Sequence, residues 1–210
     1  MKHTNIFLFT ATLYEAKPIL NLSNDISESI LNKIKIRAFE FNNLHIHIII
    51  TGIGPKKTKK TLNAIADFIN DGDIINIGIA GSLNNNLSIG EWRQINQLFL
   101  SNDDDILCSK SSKPIKLELI DDLKIASIVT VKKGIEDNKI RKELNEKYNA
   151  QLVDMEAFHI ADFAKQKKMS CRIIKMVSDH ADEMTTQTFK KSLQKFNKEV
   201  AKIFQKIITY

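Results

Sequence analysis

The sequence predicts a single α/β domain of 210 residues, with helices packed on a mainly parallel or mixed sheet. Short runs rich in Ile and Val recur along the chain, and several are continuously apolar, as in strands that are covered on both faces. Segments with helical spacing lie between these runs, and strands that alternate with helices are typical of α/β proteins. The chain has only seven Gly and three Pro and no low-complexity linker, so one domain over residues 1–210 is predicted.

Seven strands are predicted from the apolar runs. The first follows the N-terminus directly, and the polar and charged residues Thr10 and Glu15 come soon after it. This pattern favours a strand over the apolar core of a signal peptide. The predicted strands span residues 5–9, 34–41, 44–51, 73–79, 124–131, 151–153 and 172–177.

Three helices are predicted from apolar residues that lie three or four positions apart. The first follows Gly54 and Pro55, because proline suits the first turn of a helix. The second runs from about residue 155 to 167. The third closes the chain, and its apolar stripe favours packing on a sheet over a coiled-coil seam. The apolar positions of the first and third helices are Leu62, Ile65, Ala66 and Ile69, and Phe189, Leu193, Phe196, Val200, Ile203 and Ile207.

The composition excludes several classes of partner. The net charge is +6, but only four of the 31 basic residues are Arg, whereas base readout favours the bidentate Arg fork. The charge is therefore interpreted as solvated surface, and no nucleic-acid partner is expected. The apolar runs are too short to cross a bilayer, so no membrane partner is expected. Cys108 and Cys171 are isolated in sequence, which favours the reducing cytoplasm.

Acidic residues follow three of the predicted strands. Glu15 comes after the first strand where a helix begins, Glu156 follows the strand at 151–153, and Asp179 follows the last strand. Each position has a structural alternative: a first-turn Glu complements the positive end of a helix, and Asp154 and Asp179 suit helix or turn caps. Ligands of open α/β sheets bind at the carboxyl ends of strands. Three acidic strand ends at one edge therefore also predict a common pocket.

Two turns contain closely spaced glycines. Residues 51–58, T-G-I-G-P-K-K-T, lack the spacing of a P-loop and the third Gly of a dinucleotide fingerprint, so they predict a tight strand-to-helix turn. Residues 78–82, G-I-A-G-S, follow a buried strand, where small residues let a ligand approach the backbone. Neither turn identifies a ligand by itself.

Taken in order, these motifs resemble the purine nucleoside phosphorylase and uridine phosphorylase superfamily, and within it the 5′-methylthioadenosine/S-adenosylhomocysteine nucleosidases. The matching segments are A-T-L-Y-E-A-K-P, T-G-I-G-P, N-I-G-I-A-G-S-L followed by S-I-G-E, V-D-M-E-A and V-S-D-H-A-D. The resemblance implies a single α/β domain around a central twisted mixed sheet flanked by helices, commonly as a homodimer. The partner that it implies is a small-molecule nucleoside, and the implied chemistry requires no metal and no organic cofactor.

The resemblance implies cleavage of an N-glycosidic bond through an oxocarbenium-like sugar. Glu156 would accept hydrogen bonds from the ribose 2′- and 3′-hydroxyls and place negative charge near the cation, with Met155 packed on the sugar. Asp179, held by Ser178, would protonate N7 of a purine as general acid. Glu15 would orient and deprotonate the attacking water, as the base does in an inverting glycosidase.

Five further positions are expected, from the resemblance, to bind substrate. Lys175 stands where the nucleosidases usually have Arg and would help to position the water. Phe189 would pack near the 5′ substituent, and Ala80 and Gly81 would form a close backbone wall. Ile135 would replace in part the aromatic residue that commonly stacks on the base.

Hydrolysis of a purine nucleoside of the 5′-methylthioadenosine/S-adenosylhomocysteine type is the predicted function. The first loop contains Glu15 but neither Gly nor Arg, and a carboxylate there would repel phosphate. A phosphorylase, a futalosine-type hydrolase and a non-catalytic nucleoside-binding homologue remain alternatives. The non-catalytic alternative rests on three differences from the nucleosidases. Ile79 replaces a small polar residue, Lys175 replaces Arg, and residues 97–124, which commonly help to build the 5′ pocket and the dimer contact, form a shorter segment than usual.

Overall fold

The computed structural model describes residues 4–101, 114–117, 119, 123–183 and 185–209, with the side chains at 185–187 left aside. Cys108 and much of the segment 97–124 lie outside the described residues. Within the described residues, no helix is both long and apolar enough to span a bilayer.

Strands and helices alternate along the described residues. The strands are β1 (Thr4–Thr10), β2 (Ser27–Leu31), β3 (Ile34–Phe41), β4 (Leu44–Ile50), β5 (Asp73–Ser82), β6 (Trp92–Leu100), β7 (Ile115–Lys116), β8 (Ile125–Thr130), β9 (Leu152–Asp154) and β10 (Cys171–Asp179). The helices are α1 (Leu13–Leu20), α2 (Pro55–Ala64), α3 (Asn138–Tyr148), α4 (Ala157–Lys167) and α5 (Thr185–Ile208).

One mixed sheet contains all of these strands. β5 lies between β1 and β10, and both neighbours run parallel to it. On one side the sheet continues from β1 through β4 and β3 to β2. On the other side β10, β6, β8 and β9 return to β5, so these five strands close into a ring. The carboxyl ends of β1, β5 and β10 therefore meet at one end of the sheet, which is where α/β proteins bind ligands.

Helices cover both faces of the sheet. Leu62 of α2 and Ile160 of α4 belong to the apolar cluster on one face, and Ile19 of α1 and Phe204 of α5 belong to the cluster on the other face. A smaller cluster surrounds Leu144 of α3. Each fully buried side chain of this kind contributes roughly 1.5–3 kcal/mol of hydrophobic stabilisation. The predicted α/β class, with a mixed sheet flanked by helices, is confirmed.

The predicted elements are all present, with some boundaries shifted. α2 ends at Ala64, and the buried Ile65 and Ile69 lie in the turns that follow it. α4 begins at Ala157, two residues later than predicted, because the chain at Met155 still bends between β9 and the helix. α5 packs on the sheet as predicted from Phe196 onward, in the apolar cluster that it shares with α1. Phe189 and Leu193, at the start of the predicted stripe, line the pocket instead.

Strands β2, β6 and β7 and helix α3 were not predicted. β2 is almost wholly exposed and has no apolar run. β6 interleaves polar and apolar side chains because only part of it is covered. α3 is polar overall, so the hydrophobic pattern does not reveal it. The helix is capped by Asp137, whose carboxylate accepts hydrogen bonds from the backbone N–H groups of Lys139 (2.7 Å) and Ile140 (3.0 Å).

Candidate active site

A pocket of about 370 Å³ opens at the carboxyl ends of β1, β5, β9 and β10. Parts of α1, α5 and the loop after β8 complete its wall. All ten residues for which the sequence predicts a catalytic or binding role line this one pocket. They are Glu15, Ala80, Gly81, Ile135, Met155, Glu156, Lys175, Ser178, Asp179 and Phe189.

Glu15 reaches the pocket from the first turn of α1. Thr12 caps this helix, and its hydroxyl accepts a hydrogen bond from the Glu15 backbone N–H at 3.3 Å. In return, Oε2 of Glu15 accepts hydrogen bonds from the Thr12 backbone N–H (2.8 Å) and hydroxyl (3.0 Å). This reciprocal capping box fixes one carboxylate oxygen. The structural alternative for Glu15 therefore holds as well, since the same side chain both caps the helix and lines the pocket.

The electrostatics of Glu15 differ from the expectation based on the helix end alone. Its position near the positive end of α1 predicts a carboxylate that stays ionised. Burial raises the pKa of Glu15, and the opposing effects of the Lys175 ammonium and the Thr12 hydrogen bonds do not compensate for it. Only 3% of the residue is exposed. A buried carboxylate with a raised pKa is a stronger proton acceptor than a solvated one, which suits a general base.

Glu156 is held by the glycine turn between β4 and α2. Its Oε1 accepts a 2.7 Å hydrogen bond from the backbone N–H of Gly54. Gly54 is the N-cap of α2 and has φ of 94°, a conformation that favours glycine. Burial raises the pKa of Glu156 to about 7, with a further contribution from Asp154, while Lys175 and the Gly54 N–H oppose the rise. Glu156 therefore changes its charge close to neutral pH.

Asp179 is the last residue of β10 and lines the pocket, and the pairing of β10 with β5 shifts register between Val177 and Asp179. The Ser178 hydroxyl lies 2.5 Å from Oδ2 of Asp179 and 3.1 Å from the carbonyl oxygen of Ala80. The other carboxyl oxygen, Oδ1, accepts a hydrogen bond from the Ala181 N–H at 2.8 Å. Ser178 is thus placed to hold Asp179, as the resemblance implies.

Gly81 lies against Asp179 on the neighbouring strand. A Cβ at position 81 would lie 3.0 Å from Oδ1 of Asp179 and 3.3 Å from a methyl group of Val153. Such spacing is tighter than ordinary van der Waals contact. The glycine therefore lets β5 pack closely against the carboxyl group without displacing it.

Lys175 has a partner that the sequence did not predict. Its ammonium forms a 2.9 Å ion pair with Oδ2 of Asp154, and the two side chains are 2% and 1% exposed. Burial lowers the pKa of Lys175, but Asp154, Glu156 and Glu15 more than offset this effect, so its pKa is raised and it stays charged. The predicted contact of Lys175 with a water remains a prediction, whereas its ion pair with Asp154 is part of the described structure.

Sequence reasoning gave no role in the site to several polar residues of the pocket wall, among them Asp154 and Asn76. Asp154 was interpreted as a cap, and its Oδ2 does accept a 2.9 Å hydrogen bond from the Ala157 N–H at the start of α4. Asn76 lies in the middle of β5, where its side-chain amide donates to the carbonyl oxygen of Phe9 at 2.9 Å. Its Oδ1 is buried and has no hydrogen-bond partner among the described residues. The single polar residue inside an apolar run was the signal for Asn76.

The rest of the wall is apolar and partly open to solvent. Ile79, Met155 and Ile135 lie along it, and Phe189 and Ile53 stand where the pocket meets solvent, with 38% and 56% of their surface exposed. The described residues of the pocket thus combine mostly apolar walls with one buried ammonium, that of Lys175, and with five carboxyl groups, those of Glu15, Glu136, Asp154, Glu156 and Asp179. Such a site suits a small, largely apolar ligand on which positive charge develops during reaction.

Comparison with known proteins relates the chain to nucleoside-cleaving enzymes. Residues 117–209 match the model of the phosphorylase superfamily. A curated relative, the 5′-methylthioadenosine/S-adenosylhomocysteine nucleosidase of Buchnera aphidicola subsp. Schizaphis graminum, is 26% identical over 204 residues, which cover 85% of each chain.

Solved structures share the fold over nearly the whole chain. The 5′-methylthioadenosine/S-adenosylhomocysteine nucleosidase of Helicobacter pylori superposes with a TM-score of 0.88 at 20% identity, covering 100% of this chain and 99% of the other. The futalosine hydrolase of Helicobacter pylori superposes with a TM-score of 0.86 at 21% identity, covering 98% and 97%. At these identities the structures establish the fold, and together with the sequence matches they confirm the predicted resemblance.

Proposed function

From this resemblance to the phosphorylase superfamily, we propose that the chain hydrolyses the N-glycosidic bond of a purine nucleoside. The substrate is of the 5′-methylthioadenosine/S-adenosylhomocysteine type, and the products are the free base and the free sugar. The observation that carries the proposal is that Glu15, Glu156 and Asp179 line one pocket although they are far apart in sequence. The curated relative of Buchnera, a nucleosidase by name, supports the same reaction.

The reaction assigns one task to each carboxyl group. Asp179 gives a proton to N7 of the purine as the bond between C1′ and the base breaks, so the base leaves as a neutral molecule with the bonding electrons. Glu156 accepts hydrogen bonds from the sugar hydroxyls and stabilises the cationic sugar that remains. Glu15 takes a proton from water, whose oxygen forms the new bond to C1′.

The charges of the pocket favour water over phosphate as the nucleophile. Among the described residues that line it, Lys175 is the only basic side chain, and its ammonium is already paired with Asp154 at 2.9 Å. A phosphorylase needs a cationic cradle for its phosphate dianion. The carboxylates of Glu15 and Glu156 would repel that anion instead. Hydrolysis is therefore proposed over phosphorolysis.

The apolar side of the pocket supports an apolar 5′ substituent. Phe189 and Leu193 project from the first turns of α5, and Met155 lies near Gly54, with its Cε 3.5 Å from where a Gly54 Cβ would lie. A thioether substituent packs well against aromatic and thioether side chains. Because a futalosine hydrolase shares the fold, a futalosine-type nucleoside is the second candidate substrate.

Large apolar side chains near the pocket stay exposed to solvent. Tyr14, Ile53 and Phe189 are large apolar residues of the pocket wall that stay at least 38% exposed, and Leu13, next to Tyr14 in sequence, is 48% exposed. A homodimer that covers some of these side chains would remove apolar surface from water. We propose a cytoplasmic homodimer, and light scattering on a sizing column measures the mass that distinguishes it from a monomer.

A panel of nucleosides tests the proposed function. The purified chain is incubated with 5′-methylthioadenosine, S-adenosylhomocysteine, adenosine, inosine and futalosine, each with and without phosphate, and free base is quantified. Release of adenine from 5′-methylthioadenosine without phosphate is the expected result. Cleavage that requires phosphate would identify a phosphorylase, and binding without any cleavage would identify a nucleoside-binding protein.

A further inference from the structure

The buried ion pair between Lys175 and Asp154 has no task in the proposed reaction. Both side chains are almost completely removed from solvent, and they line the same pocket as Glu15 and Glu156, two of the three carboxyl groups that the reaction uses. Burying two charges is costly unless additional hydrogen bonds satisfy them. An ion pair placed at this position therefore calls for a functional explanation.

Asp154 is fixed by three donors from three different elements. Its Oδ1 accepts a 2.7 Å hydrogen bond from the Thr130 hydroxyl at the end of β8. Its Oδ2 accepts from the backbone N–H of Ala157 at 2.9 Å and from the Lys175 ammonium at 2.9 Å. The Thr130 hydroxyl in turn accepts a 3.0 Å hydrogen bond from the Phe158 N–H. Asp154 is therefore a rigid anchor for the lysine.

Lys175 lies next to Glu15 as well as to Asp154. A Cβ at Gly78 would lie 3.1 Å from Oε1 of Glu15 and 3.4 Å from Nζ of Lys175, so glycine at position 78 leaves room for both groups. The ammonium nevertheless makes its close ion pair with Asp154. Glu15 has one oxygen held by Thr12, while Oε1 faces the side of the pocket where Lys175 lies.

We propose that Asp154 is a positioning residue that holds the Lys175 ammonium away from Glu15, so that Glu15 keeps the basicity it needs to take a proton from water. The inference rests on the proposed function and assigns a task to a residue that the comparison with nucleosidases does not. Without Asp154, the ammonium would pair directly with Glu15 or Glu156, because these are the other carboxylates that act on it. A carboxylate in a direct ion pair is a weaker base.

The charged groups around this cluster come from several elements. Glu15 projects from α1, Asp154 and Glu156 from the end of β9 and the turn after it, and Lys175 from β10. His159 of α4 also interacts with Asp154, but burial lowers its pKa, so it is neutral at neutral pH. Lys59 of α2 and Asp162 of α4 act on His159 with opposite signs. The pH dependence is thus set chiefly by the three carboxylates and Lys175.

The sign of the effect follows from Coulomb's law. Lys175 lowers the pKa of Glu15 and of Glu156, and Asp154 raises that of Glu156. Removing the negative charge of Asp154 is therefore expected to lower the pKa values of Glu15 and Glu156. Removing the positive charge of Lys175 is expected to raise both pKa values. Two substitutions in one ion pair are expected to shift the same titration in opposite directions.

Asp154→Asn and Lys175→Met test the proposal through the acid limb of kcat/KM against pH. Asp154→Asn is expected to move that limb to lower pH by about one unit, with kcat about tenfold lower and KM little changed. Lys175→Met is expected to move the limb to higher pH. An unmoved limb in either variant, or an upward shift in Asp154→Asn, would overturn the proposal. If Asp154→Asn does not fold, Lys175→Met decides the question alone.

Asp73→Asn is the matched control. Asp73 at the start of β5 forms a 3.0 Å ion pair with Arg172 near the start of β10, and neither residue lines the pocket. This variant is expected to lose some stability and to keep the wild-type pH profile. If Asp73→Asn moves the limb as far as Asp154→Asn does, a general effect of lost ion pairs explains the data and the proposal is wrong.

A readout without turnover separates this proposal from the proposed function. The protein is labelled with ¹³C at the glutamate carboxyl carbons, and the signals of Glu15 and Glu156 are assigned with Glu15→Gln and Glu156→Gln. Their titrations in Asp154→Asn are expected to move to lower pH even if no nucleoside is cleaved. Unchanged titrations would overturn the role of Asp154, whereas a lack of cleavage by the wild type would overturn only the proposed function.

Discussion

The backbone N–H of Gly54 donates a 2.7 Å hydrogen bond to Oε1 of Glu156, 102 residues further along the chain. Gly54 is the N-cap of α2, so the positive end of this helix faces the carboxylate. This contact alone does not keep Glu156 ionised, because burial and Asp154 raise its pKa to about 7. Ionised Glu156 is needed for catalysis, but burying this charge destabilises the folded protein above neutral pH.

Glu156→Gln is expected to stabilise the protein at alkaline pH. The folded-state pKa of Glu156 is about 7, above the ordinary value of 4.5, so its contribution to stability is fully present below pH 4.5 and is lost as pH rises through 7. Gln retains an oxygen for the Gly54 N–H and carries no charge. At pH 8 the variant is expected to be more stable than the wild type by up to about 3 kcal/mol, while losing activity.

Urea denaturation at pH 5 and pH 8 measures this difference. The advantage of the variant is expected to be small at pH 5 and large at pH 8. The same substitution at the exposed Glu146 provides the control and is expected to change stability little at either pH. A stability difference that does not depend on pH would show that Glu156 is not the group that titrates.

Asp179→Asn is expected to lower the turnover of purine nucleosides by about 100-fold to 10,000-fold, because the base then leaves without a proton. The Ala181 N–H keeps an oxygen to bond to, so the backbone is expected to stay in place. An aryl riboside such as 4-nitrophenyl riboside has a leaving group that departs without protonation. Its hydrolysis is expected to be nearly unaffected. Equal losses for both substrates would assign Asp179 a role other than general acid.

Gly81→Ala is expected to displace the carboxyl group of Asp179, since the new Cβ would lie 3.0 Å from Oδ1. A misplacement of about 1 Å costs roughly 100-fold in rate, so the smaller shift that the new methyl group requires is expected to cost about tenfold. A double-mutant cycle isolates this mechanism, because the two residues are in contact. Once Asp179 is Asn, adding Gly81→Ala is expected to cost little more. Fully additive losses of activity would mean that Gly81 acts through another part of the pocket.

Phe189→Ala is expected to raise KM about tenfold for 5′-methylthioadenosine and to leave KM for adenosine nearly unchanged. The reason is that the aromatic ring is proposed to cover the methylthio group, which adenosine lacks. Ile30→Ala removes a surface side chain that is 73% exposed on β2 and serves as the control. Equal changes for the two nucleosides would place Phe189 away from the 5′ substituent.

Much of the fold follows from local patterns in the sequence. The apolar runs of β1, β4, β5 and β10 are buried on both faces, so they mark strands without ambiguity. β2 and β6 carry no such run, because one is exposed and the other is only partly covered. The closing of five strands into a ring depends on the pairing of β6 with β10, which are about 80 residues apart, and no local pattern encodes such a pairing.

The part of the candidate site that could be predicted consists of the acidic residues at the ends of strands. Glu15, Glu156 and Asp179 follow strands that end at the same edge, and the structure brings them to one pocket. The link between Asp154 and Lys175 was not predictable. The hydrogen bond from the Ala157 N–H already explains an Asp at position 154 as a helix cap, so the sequence gives no reason to expect another partner. The ion pair with Lys175 depends on how β9 and β10 are placed around β5.

The sugar product of 5′-methylthioadenosine, formed in phosphate buffer and identified by mass spectrometry, tests the central claim most directly. Hydrolysis at a pocket where Glu15 activates water predicts free adenine and 5-methylthioribose from the wild type. Glu15→Gln is expected to bind the nucleoside and release neither product. Formation of 5-methylthioribose 1-phosphate, or wild-type turnover by Glu15→Gln, would contradict a hydrolytic site built on this carboxylate.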